Sequence, residues 1–163
     1  MAKNKEEKTN VMRVLEQKKI AYTAHSYPHE EGVAVDGVTV AKSMGFDPAQ
    51  VFKTLVARGA SGQYYVFDVP VAESLDLKKA AKAVGEKSIE MLHQKELLPL
   101  TGYVHGGCSP VGMKKLFPTV FHSSAENLAA MIVSAGKIGY QVELAPHDLA
   151  ALVRAKFADI IVE

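Results

Sequence analysis

Two β-rich runs in the middle of the chain, residues 51–58 and 64–70, are joined by a short loop that contains two glycines. This pattern predicts an antiparallel hairpin. Further strand-like runs follow no regular spacing and alternate with helical patterns; they cover residues 20–27, 103–105, 119–122, 130–134, 140–144 and 159–162. Because strands and helices interleave irregularly around a hairpin, the sequence predicts an α+β (mixed α/β) fold with a mixed sheet rather than a purely parallel one.

Capping signals predict where the helices begin and end. Thr9 and Asn10 can cap a first helix, and Asp76 can cap a helix over residues 77–84 that Gly85 ends. The other predicted helical segments are residues 38–44, a turn after Asp47 and Pro48, residues 90–98, a short helix between the strands 119–122 and 130–134, and residues 146–156. Residues 29–37 show no pattern and are predicted to be a loop.

Length and composition indicate one soluble domain. The 163 residues fit a single domain over residues 1–163. Its first eight residues are rich in charge and are predicted to be flexible. They do not resemble a secretory signal. No apolar run approaches the roughly 20 residues that span a bilayer, so we expect no membrane contact. The single cysteine, Cys108, cannot form an internal disulfide. A reducing compartment, and hence a cytoplasmic location, is the expectation.

The charge balance limits the partners of this chain. Nineteen basic and eighteen acidic residues give a net charge of +1. Proteins that hold nucleic acid on their own usually carry a basic excess, because phosphate neutralisation supplies most of the non-specific affinity. We therefore expect no DNA binding, and RNA contact only at a short end or with the help of a partner.

Lys53 is the first candidate for chemistry. It lies within residues 51–56, which otherwise read as a buried strand. A lysine there either points to solvent by alternation or projects into a pocket, and the pattern alone leaves both open. In a pocket, a partly desolvated ammonium could orient or polarise an ester or a phosphate.

Two glycine-rich segments each follow a predicted strand, at residues 106–112 and 134–139. Glycines allow positive φ and close approach of a ligand to the backbone, so such segments can line an oxyanion hole. Either segment by itself could equally be a plain turn. Two of them after two strands are better evidence for a site, because sites form where several strand ends converge.

The sequence offers no clear nucleophile or metal site. Cys108 could attack only with a nearby base and a lowered pKa, and we expect it to be a small apolar residue instead. The six histidines show no ligand spacing, so neither a metal nor a cofactor is expected.

Five segments together resemble the YbaK family of free-standing Cys-tRNA(Pro) deacylases, which are related to the editing domain inserted in bacterial prolyl-tRNA synthetases. The segments run in order from near Val11 to the end of the chain; they are residues 52–55, 77–85, 101–112, 134–139 and 155–159. The resemblance implies a strongly twisted, partly barrel-like mixed β-sheet surrounded by helices. It also implies an enzyme that removes cysteine from mischarged Cys-tRNA(Pro), and from Cys-tRNA(Cys), in a complex with prolyl-tRNA synthetase.

The resemblance assigns roles to individual residues. By this resemblance, Lys53 corresponds to the catalytic lysine of the family. Gly106 and Gly107 correspond to the residues whose backbone stabilises the carbonyl oxyanion. Ser134 corresponds to the serine of the second loop. The remaining substrate-binding positions are Tyr27, Thr54, Ser109, Pro110, Gly112, Gly136, Lys137 and Gly139. In such enzymes the thiol of the substrate attacks its own carbonyl, which releases a thiolactone and makes the enzyme formally a lyase rather than a hydrolase.

Three positions depart from the family pattern. Cys108 stands where an apolar residue is expected, Ile138 where relatives often carry arginine, and Gln141 where some members have a carboxylate. These departures affect specificity more than fold. Two alternatives therefore stay open: a sister enzyme that removes alanine or another small amino acid by attack of water, and a non-catalytic module that binds tRNA or a synthetase.

Overall fold

The computed structural model describes residues 8–30 and 32–163, and these residues form five α-helices and eight strands. The helices are α1 (Asn10–Gln17), α2 (Gly37–Ser43), α3 (Leu77–Val84), α4 (Gln94–Thr101) and α5 (Pro146–Val153), with 3-10 turns at Pro48–Gln50 and Ser123–Asn127. The strands are β1 (Thr23–Ser26), β2 (Phe52–Gly59), β3 (Tyr64–Pro70), β4 (Ile89–Met91), β5 (Thr119–His122), β6 (Met131–Ser134), β7 (Tyr140–Leu144) and β8 (Ala155–Ala158). The predicted flexibility of the first eight residues falls, apart from Lys8, outside the described residues.

The strands form two sheets. The larger has the order β4-β2-β3-β5-β8, and the smaller has the order β1-β7-β6. In the larger sheet β2 and β3 form the predicted antiparallel hairpin, whereas β3, β5 and β8 run parallel. The mixed sheet is therefore confirmed. The two sheets meet at a parallel bridge between Val51 and Ile132 and do not close, so the likeness to a barrel is partial.

The central strand β3 has apolar residues on both of its faces. Val66 belongs to a core cluster with Leu15, Phe121 and Met131, which fills the space between the two sheets. Phe67 belongs to a second cluster, on the other side of the sheet and beneath α3. Burying a large apolar side chain stabilises a fold by roughly 1.5–3 kcal/mol, so these clusters hold the hairpin in place. The start of β2, where Lys53 lies, is thereby attached to a rigid support.

The first part of the predicted strand over residues 20–27 is not a strand. The backbone of Lys19 is left-handed (φ 61°), and the Ile20 N–H donates to the Leu15 carbonyl at 2.9 Å to close α1. The chain becomes paired with β7 only at Thr23. The alternating apolar pattern gave no indication of this C-terminal cap, because the left-handed position is occupied by a lysine and not by the usual glycine.

Residues 90–105 also differ from the prediction. Glu90 and Met91 belong to β4, which pairs with β2 as an edge strand, and the helix α4 begins later and continues through Pro99. Residues 103–105 are not a strand. The left-handed Gly102 (φ 89°) ends α4, and the Gly107 N–H donates to the Val104 carbonyl at 3.0 Å in a turn.

The end of the chain is shifted relative to the prediction. Helix α5 stops at Val153 because Arg154 is left-handed (φ 59°), and β8 follows at once beside β5. The predicted strand over residues 159–162 is reduced to an isolated bridge between Leu75 and Ile161. Pairing with β5 determined this boundary, and the local sequence carried no signal for it.

Asp76 provides a direct test of helix capping. Its carboxylate accepts hydrogen bonds from the backbone N–H of Lys78 (2.9 Å) and of Lys79 (3.1 Å). We expect Asp76→Ala to lower the free energy of unfolding by about 1 kcal/mol, measured by urea denaturation. Asp76→Asn keeps an acceptor and serves as the matched control, with a loss of less than half of that. Equal losses in both variants would show that the cap is not the cause.

Candidate functional site

A cavity of about 370 Å³ opens where the start of β2 meets the end of β6 and the start of β7. This volume lies in the range of small-molecule sites. Two loops complete its wall: residues 34–37, before and within the start of α2, and three residues after α4, namely His105, Gly106 and Cys108. Five of the predicted site residues line it: Tyr27, Lys53, Thr54, Gly106 and Ser134.

Lys53 lies at the wall of this cavity and not on an open face of the sheet. It pairs with Val69 across the hairpin and is half-buried. The strand fixes its backbone, while the long side chain can extend to a bound ligand. Of the two alternatives that the sequence left open, the structure supports the pocket.

Gly106 approaches a neighbouring loop so closely that no other residue fits. Its φ is +90°, and a β-carbon built on it would lie 2.7 Å from the β-carbon of Ala34. Gly107 packs in the same way against the second glycine segment, since its β-carbon would lie 3.0 Å from the backbone nitrogen of Ile138. The two glycine-rich segments are therefore in direct backbone contact.

Ser134 ends β6 and pairs with Gln141 of β7. Its hydroxyl oxygen accepts a hydrogen bond from the Gly136 N–H at 3.2 Å, which holds the side chain at the cavity wall. Gln141 also lines the cavity, and its Oε1 atom is buried with no hydrogen-bond partner among the described residues. Tyr27 is buried, and its N–H donates to the Gly139 carbonyl at 2.9 Å.

The other predicted substrate-binding residues do not line this cavity. Ser109 is fully buried and its hydroxyl accepts from the Val111 N–H at 3.2 Å, while Pro110 is buried beside it. Gly112 faces the hydroxyl of Tyr103. The glycine-segment residues Gly136 and Lys137 line a second, neighbouring cavity, and Gly139 packs against the ring of His29.

Cys108 lines the cavity but is a poor nucleophile. Burial raises the pKa of its thiol to about 12, and the nearby charge of Asp68 adds to this shift. At neutral pH the group is therefore a protonated thiol, and the thiolate is the reactive form. The structure thus supports the expectation of a small apolar residue.

Asp68 is a buried carboxyl group that sequence analysis passed over. It lies in the central strand β3 opposite Thr54, is fully inaccessible, and burial raises its pKa to about 7. Neither carboxylate oxygen has a hydrogen-bond partner among the described residues. The available signal was a single acid within the apolar run of residues 64–70.

Sequence analysis also missed three polar residues of the cavity wall, Asp36, His105 and Tyr140. Asp36 lies in the loop that seemed patternless, and it caps α2 by accepting from the Thr39 N–H at 3.1 Å. An aspartate just before the predicted helical segment of residues 38–44 was the signal that could have placed this loop at a helix start. Nothing local to His105 or Tyr140 indicated the site.

Neither a metal-binding cluster nor a membrane-spanning helix is found among the described residues. Residues 8–30 and 32–163 contain no group of three or more His, Cys, Asp or Glu side chains placed to hold a metal ion. Within the same residues, no helix has both the length and the apolar character required to cross a bilayer.

The raised pKa of Asp68 predicts a specific pH dependence of stability. The ordinary pKa is 3.8 and the folded-state value is about 7, so the native state holds the proton more tightly than the unfolded chain does. The stability that this provides is complete below about pH 4 and is lost as the pH rises to about 7, by up to about 4 kcal/mol. We expect Asp68→Asn to remove that decline, measured by urea denaturation at pH 4.5, 6 and 8. Curves that stay parallel to wild type would contradict the burial of a titrating carboxyl.

Comparisons with known proteins agree with this fold. A family model described as an aminoacyl-tRNA editing domain matches residues 32–152. A protein of Enterococcus faecalis named a candidate Cys-tRNA(Pro)/Cys-tRNA(Cys) deacylase, EbsC, is 47% identical over 161 residues, which are 98% of each chain.

Solved structures show the same architecture. A crystal structure described as a candidate trans-editing enzyme for prolyl-tRNA synthetase is 26% identical, with a TM-score of 0.79 over 94% of this chain and 95% of that one. The hypothetical protein APE2540, 19% identical, shares the fold with a TM-score of 0.82 over 93% and 99% of the two chains. The predicted resemblance is thereby confirmed, and the chain belongs to the family of aminoacyl-tRNA editing domains.

Proposed function

We propose that this protein removes cysteine from mischarged Cys-tRNA(Pro), and also from Cys-tRNA(Cys), by cleaving the aminoacyl ester in trans. The family and the name of the E. faecalis relative support this substrate. The observation that carries the proposal is the meeting of Lys53, Gly106 and Ser134, from three distant parts of the chain, at one cavity.

Each of these residues has a role that its position supports. The Gly106 N–H is the backbone donor that stabilises the carbonyl oxyanion, because the Gly107 N–H already donates to the Val104 carbonyl at 3.0 Å. The ammonium group of Lys53 adds a positive charge for the same oxyanion. The Ser134 hydroxyl, held by Gly136, and the half-buried Thr54 beside Lys53 position the ester.

The substrate supplies the nucleophile. Its thiol sulfur attacks its own carbonyl carbon, the bond from that carbon to the ribose oxygen breaks, and the thiol proton ends on the ribose oxygen. The products are a cyclic thiolactone and free tRNA. The protonated state of Cys108 supports this route, because the protein then offers no thiolate of its own at the cavity.

This route also accounts for selectivity. Prolyl-tRNA synthetase distinguishes cysteine from proline poorly, since similar shapes differ little in binding energy. Proline and alanine carry no thiol and cannot react in this way. The reaction requires neither a cofactor nor a metal ion.

The low net charge supports action together with a partner. A net charge of +1 gives little affinity for an RNA backbone, so the protein would act on the 3′ end of a tRNA held by prolyl-tRNA synthetase in a ternary complex. Such a complex works where translation occurs, in the cytoplasm.

The test is deacylation of Cys-tRNA(Pro) and Ala-tRNA(Pro) by wild type and by Lys53→Ala. We expect cysteine to be removed and alanine retained, and Lys53→Ala to slow cysteine removal at least about 100-fold, since loss of one oxyanion-stabilising group costs that much. Lys78→Ala, which changes a lysine on the exposed face of α3, is the control and should match wild type. Thermal denaturation should show both variants folded.

Other outcomes of that assay are equally informative. Removal of alanine instead of cysteine would point to the sister specificity with attack by water. Removal of neither would favour a non-catalytic binding module. A Lys53→Ala variant with normal activity would overturn the role assigned to Lys53.

Cys108 provides a second test of the chemistry. Because its thiol is protonated and does not attack, we expect Cys108→Ala to keep deacylation of Cys-tRNA(Pro) within about threefold of wild type. Iodoacetamide labelling of the folded protein, followed by mass spectrometry, should be slow at Cys108. A loss of activity as large as that in Lys53→Ala would show that the protein, rather than the substrate, provides the attacking sulfur.

A further inference from the structure

A second cavity, of about 540 Å³, lies beside the first. Tyr140 lines both cavities. Ile138 lines the second and contacts Gly106 of the first, since a β-carbon on Gly106 would lie 3.4 Å from Ile138 Cγ1. The two cavities are thus neighbours across a thin wall.

Aromatic rings form part of the second cavity. The rings of His29 and Tyr140 meet edge to face, with 5.8 Å between their centroids. The hydrogen bond between His29 Nδ1 and the Tyr27 carbonyl (2.9 Å), together with the contact of the ring with Gly139, orients His29. Val104 adds an exposed apolar surface, with 44% of its area accessible. Flat apolar and aromatic surfaces of this kind are platforms on which nucleobases stack.

Positive charge borders the same cavity. The ammonium of Lys137 lies 5.8 Å from the centre of the Tyr140 ring. The side chain of Lys114 packs over Gly102, a lining residue, with its Cγ atom 3.5 Å from where a β-carbon would be. Among the described residues that line this cavity there is no aspartate or glutamate. Aromatic rings beside lysines are the combination that binds single-stranded nucleic acid.

We propose that the second cavity binds the nucleotide that precedes the terminal adenosine of the aminoacyl-tRNA. Its base packs against His29, Tyr140 and Val104, and the phosphate that joins it to the adenosine faces Lys114, whose ammonium also donates to the Pro99 carbonyl at 3.3 Å. The inference rests on the proposed function, because it extends the 3′ end whose ester occupies the first cavity. One such subsite also suits a chain with a net charge of +1, since it requires local and not overall positive charge.

The experiment compares two small substrates that differ only in this one nucleotide, the cysteinyl ester of adenosine and the cysteinyl ester of the dinucleotide CA. In wild type we expect kcat/KM for the dinucleotide to exceed that for adenosine by about tenfold or more, as one stacked base contributes that much. In Lys114→Glu and in Val104→Glu the preference should fall to about twofold, because the first variant places a carboxylate beside the phosphate and the second removes an apolar surface from the base and adds a negative charge near the same phosphate. Lys78→Glu, on the exposed face of α3, is the charge-matched control and should keep the preference.

Binding measurements separate this inference from the proposed function. Calorimetric titration with the dinucleotide CA, without an attached amino acid, and with adenosine reports on the subsite even if neither ester is cleaved. Cleavage of neither ester would overturn the proposed function, whereas tighter binding of CA that is lost in Lys114→Glu would still support the subsite. Equal binding of CA and adenosine by wild type, or a preference that survives in both variants, would overturn the subsite.

Discussion

The backbone of Gly107 rests against the backbone of Lys137 and Ile138, and most of the site depends on this contact. A β-carbon at Gly107 would lie 3.0–3.3 Å from three backbone atoms of the other segment, so a larger residue would push the segments apart. Their contact places Gly106 and Ser134 on one cavity wall and Ile138 and Lys137 on the next cavity. Two glycine-rich turns that look unremarkable separately therefore build both cavities when the fold brings them together.

Buried ionisable groups near the two cavities hold their protons more tightly than they would in water. Burial raises the pKa of Tyr103 and of Cys108 to about 12, and that of Asp68 to about 7. In the proposed mechanism, burial near the first cavity would strengthen the interaction between Lys53 and a developing oxyanion, because such interactions strengthen as the effective dielectric falls. The same burial makes an ionised Asp68 costly for the fold above neutral pH.

The parts of the fold that local sequence determines were predictable, and those that pairing determines were not. The hairpin of β2 and β3 and the caps of α1 and α3 follow from glycine, aspartate and threonine at fixed positions. Strand β4 and strand β8 are short, and their bounds are set by the partners β2 and β5, which no local pattern reveals. The same division applies to the residues of the site. Lys53, Gly106 and Ser134 could be singled out from the sequence. Asp36, Asp68 and Tyr140 lie at or near the site only because distant segments pack together.

In the proposed mechanism, selection among aminoacyl esters depends on the lack of a protein nucleophile at the cavity. If the cavity held a competent nucleophile, it would cleave any small aminoacyl ester that fits within about 370 Å³, including correctly charged tRNA. In the proposed mechanism, the lysine, the backbone donor and the hydroxyl at the cavity wall stabilise an oxyanion and do not attack. Attack would then come from the substrate, and only a side chain with its own nucleophile could provide it. The proposed binding of the neighbouring nucleotide would add affinity that is the same for every amino acid, so it would strengthen binding without weakening this selection.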